Sequence, residues 1–98
     1  MTSEDFAAHW LGPHAEIACG IPGILGYVVN LVDDPESIGW DGIAETWFES
    51  RDQAIAGFES EPTRSLLALD RPKFLDEVKT LFVEEHVVVE PPKRNATN

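Results

Sequence analysis

The pattern of apolar and polar residues along the chain predicts five elements in the order helix, strand, strand, helix, strand. The first helix begins at Thr2 or Ser3, because either hydroxyl can accept from the exposed N–H groups of a helix start. An apolar stripe at helical spacing follows, formed by Phe6, Trp10, Pro13 and Ile17. Since proline lacks an amide donor, we expect the Gly12-Pro13 pair to kink or interrupt this helix.

Two β-branched apolar segments predict the next two elements as strands. The segment over residues 24–32, "ILGYVVNLV", is apolar on both alternating faces, as in a strand that is covered on both sides. The segment "GIAETWFES" places Ile43, Glu45 and Trp47 on one face and Ala44 and Thr46 on the other. Helices can cover one side of such a sheet, and a partner subunit is a candidate for the other.

The C-terminal half contains the second helix and the last strand. Ser50 and Gln53 form the pattern of a capping box, so the helix begins there, with an inner face of Ala54, Ile55 and Phe58. Short helical turns broken by prolines are expected over 60–78, and "TLFVEEHVVVE" over 80–90 alternates as a strand does. We expect one domain over 1–90 and a disordered tail over 91–98.

Composition and charge narrow the classes of function. The chain has 98 residues, a net charge of −11 and only seven Lys and Arg, which disfavours binding to nucleic acid or to an anionic membrane. Cys19 is the sole cysteine, so an internal disulfide cannot form and a cytoplasmic location is expected. No apolar run approaches the roughly 20 residues of a membrane span.

Four sequence blocks share their order and spacing with a known family. They are "SEDFAAHWLGPHA", "IPGILGYVVN", "DGIAETWFES", and "FLD" followed by "FVEEHVV". The most specific part is F-x-x-H-W-x-x-x-H combined with D-G-I-A-E-x-W-F. On these blocks, which extend from Ser3 to about Val89, the chain resembles the EthD-like family of the dimeric α+β barrel superfamily.

This resemblance implies an α+β, ferredoxin-like fold: an antiparallel sheet with helices on one face. It also implies a homodimer in which two sheets pack face to face as a dimeric α+β barrel. Family members carry a strand before the first helix, and none precedes it in this sequence. Two interpretations are open: Met1 corresponds to an internal residue of the relatives and the natural product extends upstream, or Met1 is the true start of a rearranged member.

The two histidines of the first block are the candidate catalytic residues. On a helical wheel, His9 and His14 flank the apolar stripe, so both can reach the edge of a cavity between helix and sheet. Imidazole titrates near neutral pH and can act as a general acid or base. Both match positions that recur in the family. Alternatively, they are boundary residues that bond backbone or water. We favour His14 as the base, because Pro13 restricts its position.

Candidate substrate-binding residues are two tryptophans, Glu45 and His86. Trp10 and Trp47 are expected in the core, where aromatic rings can also form the wall of an apolar pocket. Glu45 shares its strand face with Trp47, and a buried carboxylate there would need a partner, for which His14 or His86 could serve. If this face is instead partly hydrated, no such partner is needed.

Asp41 is a further candidate for substrate binding. Asp41 either contributes to substrate binding or only shapes the turn before Gly42.

His9 and His14 are five positions apart and do not stack on one face of an α-helix, so no metal site is predicted. The chain has no phosphate-cradling glycine loop, so no nucleotide cofactor is expected.

Two classes of function follow from the resemblance. The first is a small cofactor-free enzyme of decarboxylase, dehydratase or isomerase type, in which His14, with His9 or a carboxylate, moves a proton on a hydrophobic cyclic or aromatic metabolite. The second is a non-catalytic accessory or binding protein for such a metabolite in a degradation pathway. Histidines engaged only in structural hydrogen bonds would favour the second class.

Overall fold

A computed structural model describes residues 1–92 of the chain. Three helical segments come first, then two strands separated by a short helix, then two longer helices and a final 3-10 turn. In order these are α1 (Ser3–His9), a π-helical turn (Trp10–His14), α2 (Ala15–Ala18), β1 (Gly26–Leu31), α3 (Pro35–Ile38), β2 (Gly42–Trp47), α4 (Arg51–Glu59), α5 (Thr63–Asp70) and the 3-10 turn Arg71–Lys73. The predicted α+β class is confirmed.

The helices α1 and α2 and the π-helical turn between them follow one another without a gap, and together we call them the first helical segment. This segment begins as predicted and continues through Pro13. The Thr2 hydroxyl accepts from the amide of Asp5 at 3.0 Å and caps α1. The predicted disturbance at Gly12-Pro13 is confirmed: α1 ends at His9, and the π-helical turn over Trp10–His14 replaces the α-helical hydrogen-bond pattern before α2 begins, although the backbone stays helical. Such a turn bonds i to i+5, which accommodates the residue whose amide donor is missing.

The two predicted strands pair with each other. β1 and β2 are antiparallel, with Tyr27 opposite Thr46 and Val28 opposite Glu45. One face of this sheet lies against the first helical segment, because the indole Nε1 of Trp10 donates to the Tyr27 hydroxyl at 3.1 Å. Glu45, one position along β2 from Thr46, therefore belongs to the opposite face.

The core lies between α2, the following turn and α5. Ala18, Ile21 and Leu67 are buried in contact with one another. Partly buried side chains pack around them, namely Ile17, Ile24, Tyr27, Phe48 and Phe58. The predicted cap of α4 is confirmed, since the Ser50 hydroxyl accepts from the amide of Gln53 at 3.1 Å.

The predicted last strand is wrong. Residues 80–90 adopt no regular secondary structure, and Leu81 and Val83 are 80% and 83% exposed. A strand is stable only when its amides and carbonyls pair with a neighbour. Within residues 1–92 the sheet has two strands, and neither pairs with this segment. Most of the predicted tail, residues 93–98, lies outside the described residues.

The helices of the described part are short. Among residues 1–92, none is long and apolar enough to cross a bilayer.

Candidate active site

A buried carboxylate joins the two histidines. His14 Nδ1 lies 2.8 Å from Oδ2 of Asp70, and His9 Nε2 lies 3.0 Å from both carboxylate oxygens. Asp70 is the last residue of α5 and only 4% exposed. The histidines come from the other end of the sequence, so the cluster depends on α5 packing beside the first helical segment.

The π-helical turn explains how both histidines reach one carboxylate. His9 ends α1 and His14 ends the turn, so the two are five positions apart. In an α-helix, residues four apart share a face and residues five apart do not. The i to i+5 pattern of a π-helix brings residues five apart to the same side. The prediction that His9 and His14 do not share one face of the helix assumed α-helical periodicity. It is wrong here, because this turn is π-helical.

Asp70 is held in its ionised form. Burial raises the pKa of Asp70, but hydrogen bonds from His14 and then His9, with the charges of both imidazoles, outweigh it, so the pKa lies below its usual value. The ammonium of Lys73 lies 3.9 Å away on the other carboxylate oxygen and adds positive charge.

Each imidazole keeps one nitrogen free of the carboxylate. Within residues 1–92, His14 Nε2 and His9 Nδ1 make no hydrogen bond, and every buried polar side-chain atom has a partner. These two nitrogens are therefore reached by solvent. The side chains of His9 and His14 are 21% and 10% exposed, so the first is the more open.

Phe74 packs against both histidines. Its ring centroid lies 4.8 Å from the centroid of each imidazole and 5.6 Å from that of Phe6. The phenyl ring separates part of the cluster from water, which strengthens its electrostatic interactions. Sequence analysis did not single out this residue.

A cavity of about 270 Å³ adjoins these aromatic rings. Phe6 and Phe74 form part of its wall, together with Asp41 and Lys73. Asp41, a predicted substrate-binding residue, is thus near the cluster. Neither histidine lines the cavity itself. Phe74 connects the two, since it lines the cavity and its ring also contacts both imidazoles.

The remaining predicted residues divide between core and surface. Trp10 is buried, 7% exposed, while Trp47 is half-buried on β2. Glu45 is exposed and accepts from the Asn30 amide at 2.8 Å, so neither suggested histidine partner applies. His86 is also at the surface, 3.4 Å from Glu84. The structure does not bring Glu45 or His86 to the histidine cluster.

Asp70 is the residue that sequence analysis missed. Thr63, Leu67 and Asp70 are all buried on α5, at the i, i+4 and i+7 spacing of one helical face. An acid on an otherwise buried stripe needs a partner, which was the available signal. The expectation of broken helical turns over 60–78 concealed it.

The described residues do not form a metal-binding group. Among residues 1–92, no set of three or more His, Cys, Asp or Glu side chains is arranged to hold a metal ion. In the histidine cluster, the nitrogens near Asp70 are engaged in hydrogen bonds with its oxygens.

Comparison with known proteins places the chain in a family. The EthD domain matches residues 1–77, a range that contains both histidines, Asp70 and Phe74. No curated protein and no solved structure matches the chain. The family match covers most of the 98 residues but ends before "FVEEHVV", so the resemblance predicted as far as about Val89 is confirmed over residues 1–77. The chain belongs to the EthD domain family.

Proposed function

We propose that this EthD domain protein is a small cofactor-free enzyme that moves a proton on a hydrophobic cyclic or aromatic metabolite. The reaction is of decarboxylase, dehydratase or isomerase type. The observation that supports it best is the buried Asp70 carboxylate with an imidazole on either side. A carboxylate that orients imidazoles, each with one free nitrogen, is an arrangement suited to general acid–base catalysis.

His14 is the proposed base. Its Nδ1–H donates to ionised Asp70, which leaves the lone pair of Nε2 to accept a proton from the substrate. The imidazolium that forms is stabilised by the carboxylate 2.8 Å away. Hydrogen positions follow from this network, because a carboxylate without a proton can only accept.

His9 is the proposed second acid–base group. Its Nε2–H donates to the same carboxylate, so its Nδ1 is free to give or take a proton at another atom of the substrate. A reaction that removes a proton at one carbon and returns it at another needs two such groups or one group that moves. The shared carboxylate lets one imidazole hold a proton while the other is neutral.

The substrate would bind beside the aromatic rings. Phe6 and Phe74 line the adjoining cavity together with polar residues that include Asp41, so a ring stacked on the phenyl groups would also meet polar groups. To reach an imidazole, it must displace or pass the Phe74 ring. Trp10 acts in this proposal by supporting the sheet through Tyr27.

The proposal includes a homodimer with ferredoxin-like subunits, packed as a dimeric α+β barrel. The sheet face opposite Trp10 carries Val28, Ile43 and Trp47, and Ile43 is 61% exposed. A second sheet over this face would bury them. Glu45 lies on the same face, so substrate-binding roles for it and Trp47 depend on the second subunit. The same condition applies to the surface residue His86.

A binding protein without catalysis is the second candidate. One observation favours it: neither histidine lines the 270 Å³ cavity, so the hydrogen bonds to Asp70 could serve only to join α5 to the first helical segment. An accessory protein would then hold a hydrophobic metabolite against Phe6 and Phe74 without moving a proton.

Exchange of carbon-bound hydrogen separates the two functions. With 2-tetralone, an enolisable bicyclic ketone, in deuterium oxide, we expect the protein to accelerate deuterium uptake next to the carbonyl, measured by proton NMR. His14→Gln should reduce the acceleration by roughly 10²- to 10⁴-fold, the usual contribution of a general base. Asp52→Asn, an exposed change on α4, should leave the acceleration intact.

Saturable binding of 2-tetralone with no acceleration would support the binding protein and contradict the enzyme. Full acceleration in His14→Gln would contradict the role of that residue. His9→Gln distinguishes the two imidazoles, because loss in that variant alone would transfer the role of base to His9.

A further inference from the structure

A second cavity lies between α4, α5 and the segment over residues 80–82. Its volume is about 440 Å³, which is within the range of small-molecule sites. Phe58, Leu67 and Phe82 supply apolar wall, and Arg64 and Arg71 also line it. We call this cavity the arginine pocket. It shares no lining residue with the cavity beside the histidines.

Positive charge is concentrated at this pocket in a strongly acidic chain. Residues 1–92 contain five Lys and Arg, of which two line the pocket. The guanidinium of a third, Arg51, lies 4.5 Å from the ring centroid of Phe82, a pocket residue. Two of these five cations therefore line one cavity and a third contacts a residue of its wall, although the net charge of the chain is −11.

The charges of Arg64 and Arg71 are not neutralised by the fold. Glu59 also lines the pocket, yet among residues 1–92 neither arginine lies within 4.0 Å of a carboxylate oxygen. The helix dipole stabilises the positive charge of Arg71, which is the C-cap residue of α5. The dipole destabilises the positive charge of Arg64, because Arg64 lies in the first turn of α5.

Both arginines line the pocket from α5. They are seven residues apart, which is two helical turns, so they lie on the same side of α5. Between them lie Leu67, buried in the core, and Ala68, and both line the pocket. A molecule in this space would meet an apolar surface at its body and a guanidinium at its head. Guanidinium groups bind carboxylate and phosphate oxygens in pairs.

We propose that the arginine pocket binds an amphiphilic anion: a single carboxylate or phosphate head on a short apolar body. Arg64 and Arg71 bind the head, while Phe58, Leu67 and Phe82 contact the body. Charge complementarity selects this occupant, because an uncharged apolar molecule would leave both guanidinium groups without a partner. The site is independent of the proposed proton transfer at the histidines.

Calorimetric titration with three ten-carbon probes tests the head group. We expect decanoate and decyl phosphate to bind, and 1-decanol to bind at least about tenfold more weakly, since a hydrogen bond to a charged group is worth roughly 1.5–3 kcal/mol. Inorganic phosphate alone should bind much more weakly than decyl phosphate. Equal affinity for 1-decanol and decanoate, or for inorganic and decyl phosphate, would overturn the proposal.

Variants locate the site. Arg64→Gln and Arg71→Gln should each weaken decanoate about tenfold, and Phe82→Ser should weaken both anions. All three side chains are exposed, so the fold should tolerate these changes. The matched control is Lys79→Gln, which removes one charge from an amine that lies 5.4 Å from the Trp40 ring centroid instead.

Two results would contradict the location. Unchanged decanoate affinity in Arg64→Gln and Arg71→Gln would place the anion elsewhere. A change in the sedimentation coefficient of these variants without any loss of decanoate binding would make the pocket a contact between copies of the chain. Sedimentation velocity is therefore measured on the same samples.

Discussion

His14 Nδ1 lies 2.8 Å from the Asp70 carboxylate, although 56 positions separate the two residues in sequence. This contact joins the end of the π-helical turn to the end of α5 and buries both side chains. It has two consequences: it stabilises the packing of the helices, and it orients an imidazole whose other nitrogen stays accessible.

Removal of the Asp70 charge should destabilise the fold. Asp70→Asn retains the size of the side chain but replaces a carboxylate that serves two histidines. We expect a loss of about 2 kcal/mol in the free energy of unfolding, typical of hydrogen bonds to a charged group. Urea unfolding measures it, and exposed Asp52→Asn is the control, with a change below about 0.5 kcal/mol. Equal stability of the two variants would show that the cluster does not support the fold.

The same carboxylate predicts loss of stability in acid. The pKa of Asp70 is lower in the folded protein than in the unfolded chain, so the unfolded state binds the proton more readily. The stabilisation is fully present above the unfolded pKa, near 4, and is lost as pH falls through the folded pKa. Urea midpoints measured through this range should fall more steeply for the wild type than for Asp70→Asn. Parallel curves would contradict the assignment.

Gly42 should be intolerant of a side chain. A methyl group there would collide with the Trp10 indole and lie 2.7 Å from the Asn30 carbonyl oxygen. We expect Gly42→Ala to lower the free energy of unfolding by about 1–3 kcal/mol, as overpacking does. Gly12→Ala is the matched control, since its methyl group would meet no atom within 4 Å and alanine favours a helix by about 0.5–1 kcal/mol. The opposite order of stabilities would contradict the packing of Trp10 on β2.

The Phe74 ring should change the proton chemical shifts of both histidines. Its ring lies against both imidazoles, so ring currents should displace the carbon-bound proton resonances of His9 and His14. In Phe74→Leu these resonances should move toward free-histidine positions, while those of the surface residue His86 stay unchanged. Proton NMR of the wild type and the variant measures this. A shift of only one histidine would restrict the contact to that residue.

The proposed homodimer predicts an effect of charge on the outer sheet face. Ile43→Lys places an ammonium on that face and should convert a dimer to monomer in sedimentation velocity at micromolar concentration. Leu69→Lys is the matched control, since Leu69 is 72% exposed on α5 and lies outside the sheet. A wild-type chain that is monomeric under these conditions would contradict the face-to-face dimer.

The sequence alone was sufficient to predict the helix caps, the two strands and the family. The hydroxyls of Thr2 and Ser50 cap helices as predicted, because a cap depends on residues within one turn. The strands β1 and β2 follow from β-branched composition, and the EthD family from blocks of residues in order. His9 and His14 were recognisable as the titratable residues beside the apolar stripe.

Only the tertiary structure decided which partner these histidines meet. Asp70 joins them because α5 packs beside the first helical segment, a contact between distant residues that no local pattern encodes. The π-helical turn at Pro13 changed the local periodicity, so residues five apart came to one side. Residues 80–90 carry the alternation of a strand without forming one, since alternation specifies a face and pairing needs a neighbouring strand.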